Sequence, residues 1–154
     1  MMTATEEPIA RLTQWIRQRP NSIEFWELVV TDERLVCCFV GESYRSMLLR
    51  ADMGERDRAL VADSTPAELE TLDERNFSVP LEAIEGIRLV TGTRFRRAKL
   101  EIDWDHGDAP YDGGMTLVGA SGAEPQADVV AGLADEPGLE DVDVEIERRG
   151  WSFF

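Results

Sequence analysis

Hydrophobic positions change period several times along the chain, and each change marks an element. In "TEEPIARLTQWIRQRP", Ile9, Leu12 and Ile16 recur at i, i+3 and i+7, and Trp15 widens the stripe. Acids ahead of Pro8, and Pro20 at the far end, frame this spacing as an N-terminal helix over residues 6–19. Two apolar runs follow in "SIEFWELVVTDERLVCCFVG", joined by Thr31-Asp32-Glu33-Arg34. Their aromatic and β-branched content predicts a hairpin. The period then turns helical again, with Tyr44, Met47, Leu48 and Ala51 on one face. Thr65-Pro66-Ala67-Glu68 reads as a capping box with proline at the first helical position, opening a second helix to about Asp73. Residues 43–75 are therefore expected as a two-helix insertion between strands.

Strand signals resume in "NFSVP", "EGIRLVTGT", "AKLEIDW" and "MTLVGAS". In the third, Leu100, Ile102 and Trp104 alternate with Glu101 and Asp103, the period of a half-buried strand. "EPQADVVAGLADEPG" is a short helix presenting Val129, Val130 and Leu133, and "VDVEIE" is a terminal strand with Val142, Val144 and Ile146 on one face. There is no internal repeat and no long linker, and 154 residues suit one domain with its own core. The expectation is a single α+β domain over 1–154. It comprises a bent antiparallel sheet or barrel, an N-terminal helix, the two-helix insertion at 43–75 and a C-terminal helix, with the core over 23–147.

Charge narrows the environment. The chain carries 31 acids against 16 bases, a net −15, and Lys99 is its one lysine. Dense carboxylates with almost no lysine resemble the proteins of salt-accumulating haloarchaea, where strong salt screens self-repulsion within a few ångström. So acidic a body repels nucleic acid and anionic membrane surfaces, and neither is expected as a general partner. No apolar run reaches the length of a membrane span, and the start of the chain lacks the basic and apolar regions of a secretory signal. A cytoplasmic protein is the expectation. The adjacent Cys37 and Cys38 would point to opposite faces of a strand, where bridging them would be strained, so they are read as small buried hydrophobes.

Candidate chemistry is sparse. His106, the one histidine, has Asp103, Asp105, Asp108 and Asp112 nearby in "EIDWDHGDAPYDGG". A calcium loop of the EF-hand type fails here at its third ligand, and zinc generally needs more than one His or Cys. The stretch is read as a solvated hairpin tip with no metal. Ser121 in "GASGA" has no histidine after it, as the hydrolase order requires. No catalytic residue and no cofactor is expected. The outlier is "RFRRAK", which gathers Arg94, Arg96, Arg97 and Lys99 in a strongly acidic chain. These bases could hold a phosphate or an acidic partner, or could pair across strands with Glu101, Glu85 or Asp103.

The strand grammar resembles a pleckstrin-homology-like domain of the prokaryotic, GRAM-like kind over about residues 23–135. The resemblance is carried by Thr31-Asp32-Glu33-Arg34-Leu35 at a strand end and by the step from Val79-Pro80 through Ile84 and Ile87. It implies a binding scaffold. In lipid-binding members a basic loop between the first two strands holds the headgroup, and the turn assigned to that place here, Thr31–Arg34, has a single arginine. The insertion at 43–75 and the strand at 141–147 depart from the basic pattern. The expected function is thus a non-catalytic binding or scaffold module acting through contact with an unidentified protein or a second copy. The alternative is an anionic small molecule, or less readily a lipid headgroup, at 94–99. An enzyme of unrecognised class comes third.

Overall fold

The structure is a computed structural model that describes residues 6–44, 55–93, 96–107, 109, 111, 113–119 and 124–148. Its strands are β1 (Pro8–Gln18), β2 (Ser22–Thr31), β3 (Arg34–Tyr44), β4 (Phe77–Pro80), β5 (Ile84–Val90), β6 (Lys99–Trp104), β7 (Gly114–Gly119) and β8 (Asp143–Glu147). The helices are α1 (Glu55–Asp63), α2 (Pro66–Leu69) and α3 (Glu124–Leu133). All eight strands join one sheet in the order β4-β3-β2-β1-β7-β6-β5-β8. Pairing is antiparallel except for β8, which runs parallel to β5.

The sheet bends so that both halves face one core. Trp15, Trp26, Leu28, Leu35 and Val79 from β1–β4 pack with Ile87, Leu89, Leu100, Ile102, Trp104 and Leu117 from β5–β7. The inner face of α3 supplies Ala127, Val130 and Leu133 to the same cluster. On the outer face of β1–β3, a second cluster of Ile16, Phe25, Val29, Val36, Cys38 and Val40 is covered by Val61 of α1 and Leu69 of α2. Strands β2 and β3 are therefore buried on both faces, which is why they read as nearly continuous apolar runs.

The N-terminal helix expected over 6–19 is instead strand β1. Its helical spacing comes from a bulge. Leu12 pairs with Leu28 and Trp15 with Trp26, so Thr13 and Gln14 together oppose the single residue Glu27. The extra residue keeps Leu12 and Trp15 on the same inner face, and then sends Ile16 outward to the second cluster. An i, i+3 apolar pair thus arises from a strand. Gln14 takes φ +65° at the bulge. Its amide donates to the fully buried Glu27 carboxylate at 2.6 Å, the Thr13 hydroxyl does so at 2.5 Å, and Arg11 at 2.9 Å.

The remaining expectations land close to their elements. The hairpin at 22–41 is β2–β3, with Thr31 Oγ1 accepting from the amides of Glu33 and Arg34 at 3.1 and 3.0 Å. The insertion holds α1 and α2, but α1 is not the helix expected on Tyr44, Met47, Leu48 and Ala51: Tyr44 ends β3 and the other three lie outside the described residues. Glu68 accepts from the Thr65 amide and hydroxyl at 2.8 Å, the reach-back half of the capping box. The helix that opens there stops at Leu69, not near Asp73. The Asn76 side chain donates to the Leu69 carbonyl at 2.7 Å, taking a carbonyl that further helix would use.

Arg34, the arginine of the Thr-x-x-Arg-Leu motif, is a structural tie. It bonds Glu6 at 2.9 Å, Glu70 at 2.9 Å, and the Pro66 carbonyl at 3.1 Å. Strand β7 opens on Gly114 at φ +134°, where a Cβ would meet the Ile102 carbonyl oxygen at 2.0 Å, so only glycine fits.

Candidate functional site: arginines and aromatic rings at the β1–β2 end

Recognising β1 as a strand moves the first hairpin. Its turn is Arg19-Pro20-Asn21, closed by the Arg19 amide donating to the Ser22 carbonyl at 2.9 Å. Arg17 therefore lies one residue before the end of β1 and Arg19 starts its turn, in the position that the sequence reading had given to Thr31–Arg34.

Cross-strand register then assembles a charge ladder. Arg17 on β1 pairs with Glu24 on β2, and Glu24 pairs with Glu42 on β3. Two carboxylates opposite each other repel, unless cations hold them apart. Arg17 bonds Glu24 at 3.0 Å and Arg19 approaches it at 3.7 Å, while Arg75, just ahead of β4, reaches Glu42 at 3.6 Å. The Ser22 hydroxyl donates to Glu42 at 2.6 Å, and the Trp26 indole N–H donates to Glu24 at 3.3 Å.

Beneath this ladder lies a layer of rings. Trp26 is edge-on to Phe39, Phe77 and Tyr111 at 5.6, 6.0 and 6.3 Å, and Phe77 meets Trp104 at 5.8 Å. Two of the arginines stack on rings: Arg17 lies 4.4 Å above Tyr111 and Arg75 lies 4.2 Å above Phe39. Stacking uses a guanidinium's face and leaves edge N–H donors for anions. Burial, reinforced by Glu24, pushes the Tyr111 hydroxyl above its ordinary range, so it stays a neutral phenol. Three guanidiniums thus meet the two carboxylates of the ladder in a chain of net −15.

The residues singled out from sequence fall elsewhere. Arg94 lies outside the described residues; Arg96 and Arg97 are exposed in the β5–β6 turn, and Lys99 is paired with Glu101 at 2.8 Å. That turn is separated from the β6–β7 loop by the length of β6. Asp103 and Asp105 are exposed, His106 is half-buried, and Asp108, Asp112 and Ser121 lie outside the described residues. Both cysteines are free and buried; burial raises the Cys37 thiol well above its ordinary range and Cys38 to about 12. Among the described residues, no three metal-ligating side chains converge, and no helix is long and apolar enough to cross a membrane.

One further concavity lies at the other end of β2. Asp32 and Glu33 of the β2–β3 turn face Glu82, Glu140 and Asp141 across an open cleft of about 510 Å³, with Leu81 and Val142 in its lining.

A known structure shares this architecture. It is the hSac2 domain from human phosphoinositide phosphatase Sac2, similar with a TM-score of 0.53 at 11% identity, over 99% of this chain and 83% of that one. At that identity the likeness is one of fold: a mostly-sheet architecture compatible with the pleckstrin-homology-like kind. No family model and no curated protein matches the chain.

Arg17, Arg19, Arg75 and Tyr111 were missed because the helical reading of 6–19 concealed the first hairpin. The available signal was "QRPNS", turn chemistry between two apolar runs.

Proposed function

We propose that the protein is a non-catalytic binding module whose ligand face is the β1–β2 end, where Arg17, Arg19 and Arg75 receive an anionic group of the phosphate class. The observation that carries this reading is the placing of three arginines, from β1, its turn and the end of the insertion, around one aromatic layer. Planar guanidiniums match phosphate geometry, and the rings beneath fix the planes of Arg17 and Arg75. The structural neighbour, a domain from a phosphoinositide phosphatase, supports phosphate-bearing ligands as the class to test. Long-range repulsion from the −15 body opposes an anion in dilute salt, but in molar salt the Debye length shrinks to about 3 Å and local contacts decide. The bases at 94–99 are the alternative site, with Arg96 and Arg97 exposed in the β5–β6 turn and Lys99 paired with Glu101.

Free phosphate and a lipid headgroup share this chemistry, and separate arms of one experiment distinguish them. Calorimetric titration with inorganic pyrophosphate tests the first; co-sedimentation with phosphatidylcholine vesicles carrying phosphatidylinositol phosphate tests the second. Binding that is lost in an Arg17→Gln/Arg19→Gln/Arg75→Gln variant of intact fold supports the reading. Binding unchanged by that variant would refute it.

A second reading keeps the contact between proteins. The cleft lined by Asp32, Glu33, Glu82, Glu140 and Asp141 favours a basic segment of a partner. Capture of a Lys/Arg-rich peptide that disappears in Glu82→Gln/Glu140→Gln would favour it over the first.

A further inference from the structure

We infer that Arg75 is the guanidinium this end of the sheet hands over to an incoming anion, and that Glu42 is an internal carboxylate that holds it until then. The inference rests on the anion-binding reading above and assigns unequal roles to its arginines.

Arg17 is committed to the fold. Its partner Glu24 has a side chain only 7% exposed, and the two sit directly across β1 and β2. If Arg17 swung away, Glu24 would keep only Arg19 at 3.7 Å and the Trp26 indole at 3.3 Å. A buried carboxylate losing its nearest cation is strongly disfavoured.

Arg75 is held differently. Its pair with Glu42 is longer, at 3.6 Å, and its side chain is 48% exposed; Arg19 is held as loosely, at 3.7 Å and 49%, but Arg75 is also stacked on Phe39. If it leaves, Glu42 keeps the Ser22 hydroxyl at 2.6 Å. Arg75 can therefore exchange one carboxylate oxygen for a ligand oxygen while its plane stays on Phe39.

Its backbone, meanwhile, is pinned. The Arg75 amide donates to Asp73 at 2.8 Å, and Asn76 spans two elements, accepting from the Phe39 amide and donating to the Leu69 carbonyl, each at 2.7 Å. The insertion, which the basic domain pattern lacks, thus delivers one cation to a fixed place above the ring layer. Arg75 is the specificity-determining arginine, and Glu42 is its internal competitor.

The test is calorimetric titration of inorganic pyrophosphate into the parent protein, Arg75→Gln and Glu42→Gln, with melting temperatures recorded alongside. Arg75→Gln should weaken binding about tenfold, the loss of one charge-assisted hydrogen bond. Glu42→Gln should tighten it severalfold, because the competing carboxylate is gone. Melting temperatures of parent and Arg75→Gln should agree within a few degrees. If the parent binds but Arg75→Gln binds equally well and Glu42→Gln no tighter, Arg75 has no such role while the anion reading stands. If no variant, Glu42→Gln included, binds pyrophosphate, both fail together. Should Glu42→Gln not fold, Arg75→Lys decides alone: it keeps the charge but loses the planar stacked fork, and affinity equal to the parent would overturn the assignment.

Discussion

Replacing Glu27 tests whether the bulge in β1 is built around a carboxylate. Glu27 is fully buried and accepts from the Gln14 amide, the Thr13 hydroxyl and the Arg11 guanidinium. In Glu27→Ala the part-buried Gln14 N–H loses its acceptor, a penalty of up to about 1–3 kcal/mol where water does not replace it. Arg11 also loses its partner, but its side chain is 37% exposed and it contacts the Arg58 carbonyl at 3.4 Å, so water offsets part of that loss. Together these place the destabilisation at about 1–3 kcal/mol, below the range for stranding a fully buried charge, because the charge left behind is the part-exposed Arg11. Urea unfolding followed by tryptophan fluorescence would read it. The decisive comparison is Arg11→Met/Glu27→Leu. A merely buried ion pair can be replaced by apolar side chains without loss, whereas an acceptor required by a bulge amide cannot. The double variant should remain at least about 1 kcal/mol below the parent. Stability equal to the parent would refute the bulge-capping role.

Three further outcomes follow from the same geometry. Gln14→Gly removes a side chain at φ +65° and should leave stability within about 1 kcal/mol of the parent by urea unfolding, because relief of strain offsets chain entropy; deleting Gln14 should leave a folded protein, since Leu12, Thr13 and Trp15 then oppose Leu28, Glu27 and Trp26 in a regular strand with Trp15 still on the inner face. Burial raises the Glu6 carboxyl, but bonds from Arg34 and Thr31 outweigh it and hold the group below its ordinary range. A lowered folded pKa stabilises above the ordinary carboxylate range and is lost as pH falls through the folded value; acid titration of the melting temperature should therefore show a shallower acid limb in Glu6→Gln, and an unchanged limb would exclude Glu6 as a source. With a net charge of −15, the melting temperature should rise steeply from dilute to molar KCl, and a flat or falling profile would contradict a salt-adapted surface.

Much of the fold was legible because burial writes period into sequence. Strand β6 showed its inward Leu100, Ile102 and Trp104 by simple alternation, and the hairpin of β2 and β3 by runs buried on both faces. Strand β1 was not legible, because a two-against-one bulge converts the period of a strand into an apolar pair three apart. That one misreading displaced the first hairpin and with it the candidate site. The ladder of Arg17, Glu24, Glu42 and Arg75 joins residues dispersed from the first strand to the end of the insertion, and only pairing register brings them together. The run at 94–99, conspicuous in sequence, was a local cluster of bases; the structure pairs its Lys99 with a carboxylate two residues on.

The indole N–H groups offer the most direct test of where an anion binds. Trp26 donates to Glu24 and Trp104 to the Tyr111 carbonyl, both at the β1–β2 end, whereas Trp15 donates to Gln126 of α3 at 3.0 Å. In a ¹⁵N-edited NMR titration with inorganic pyrophosphate, the Trp26 and Trp104 indole resonances should shift saturably, together with the Nε–H groups of Arg17 and Arg75, while Trp15 stays fixed. Saturable shifts confined to the amides of residues 96–99, with the Trp26 and Trp104 indoles unmoved, would place the anion at the β5–β6 turn and contradict the account.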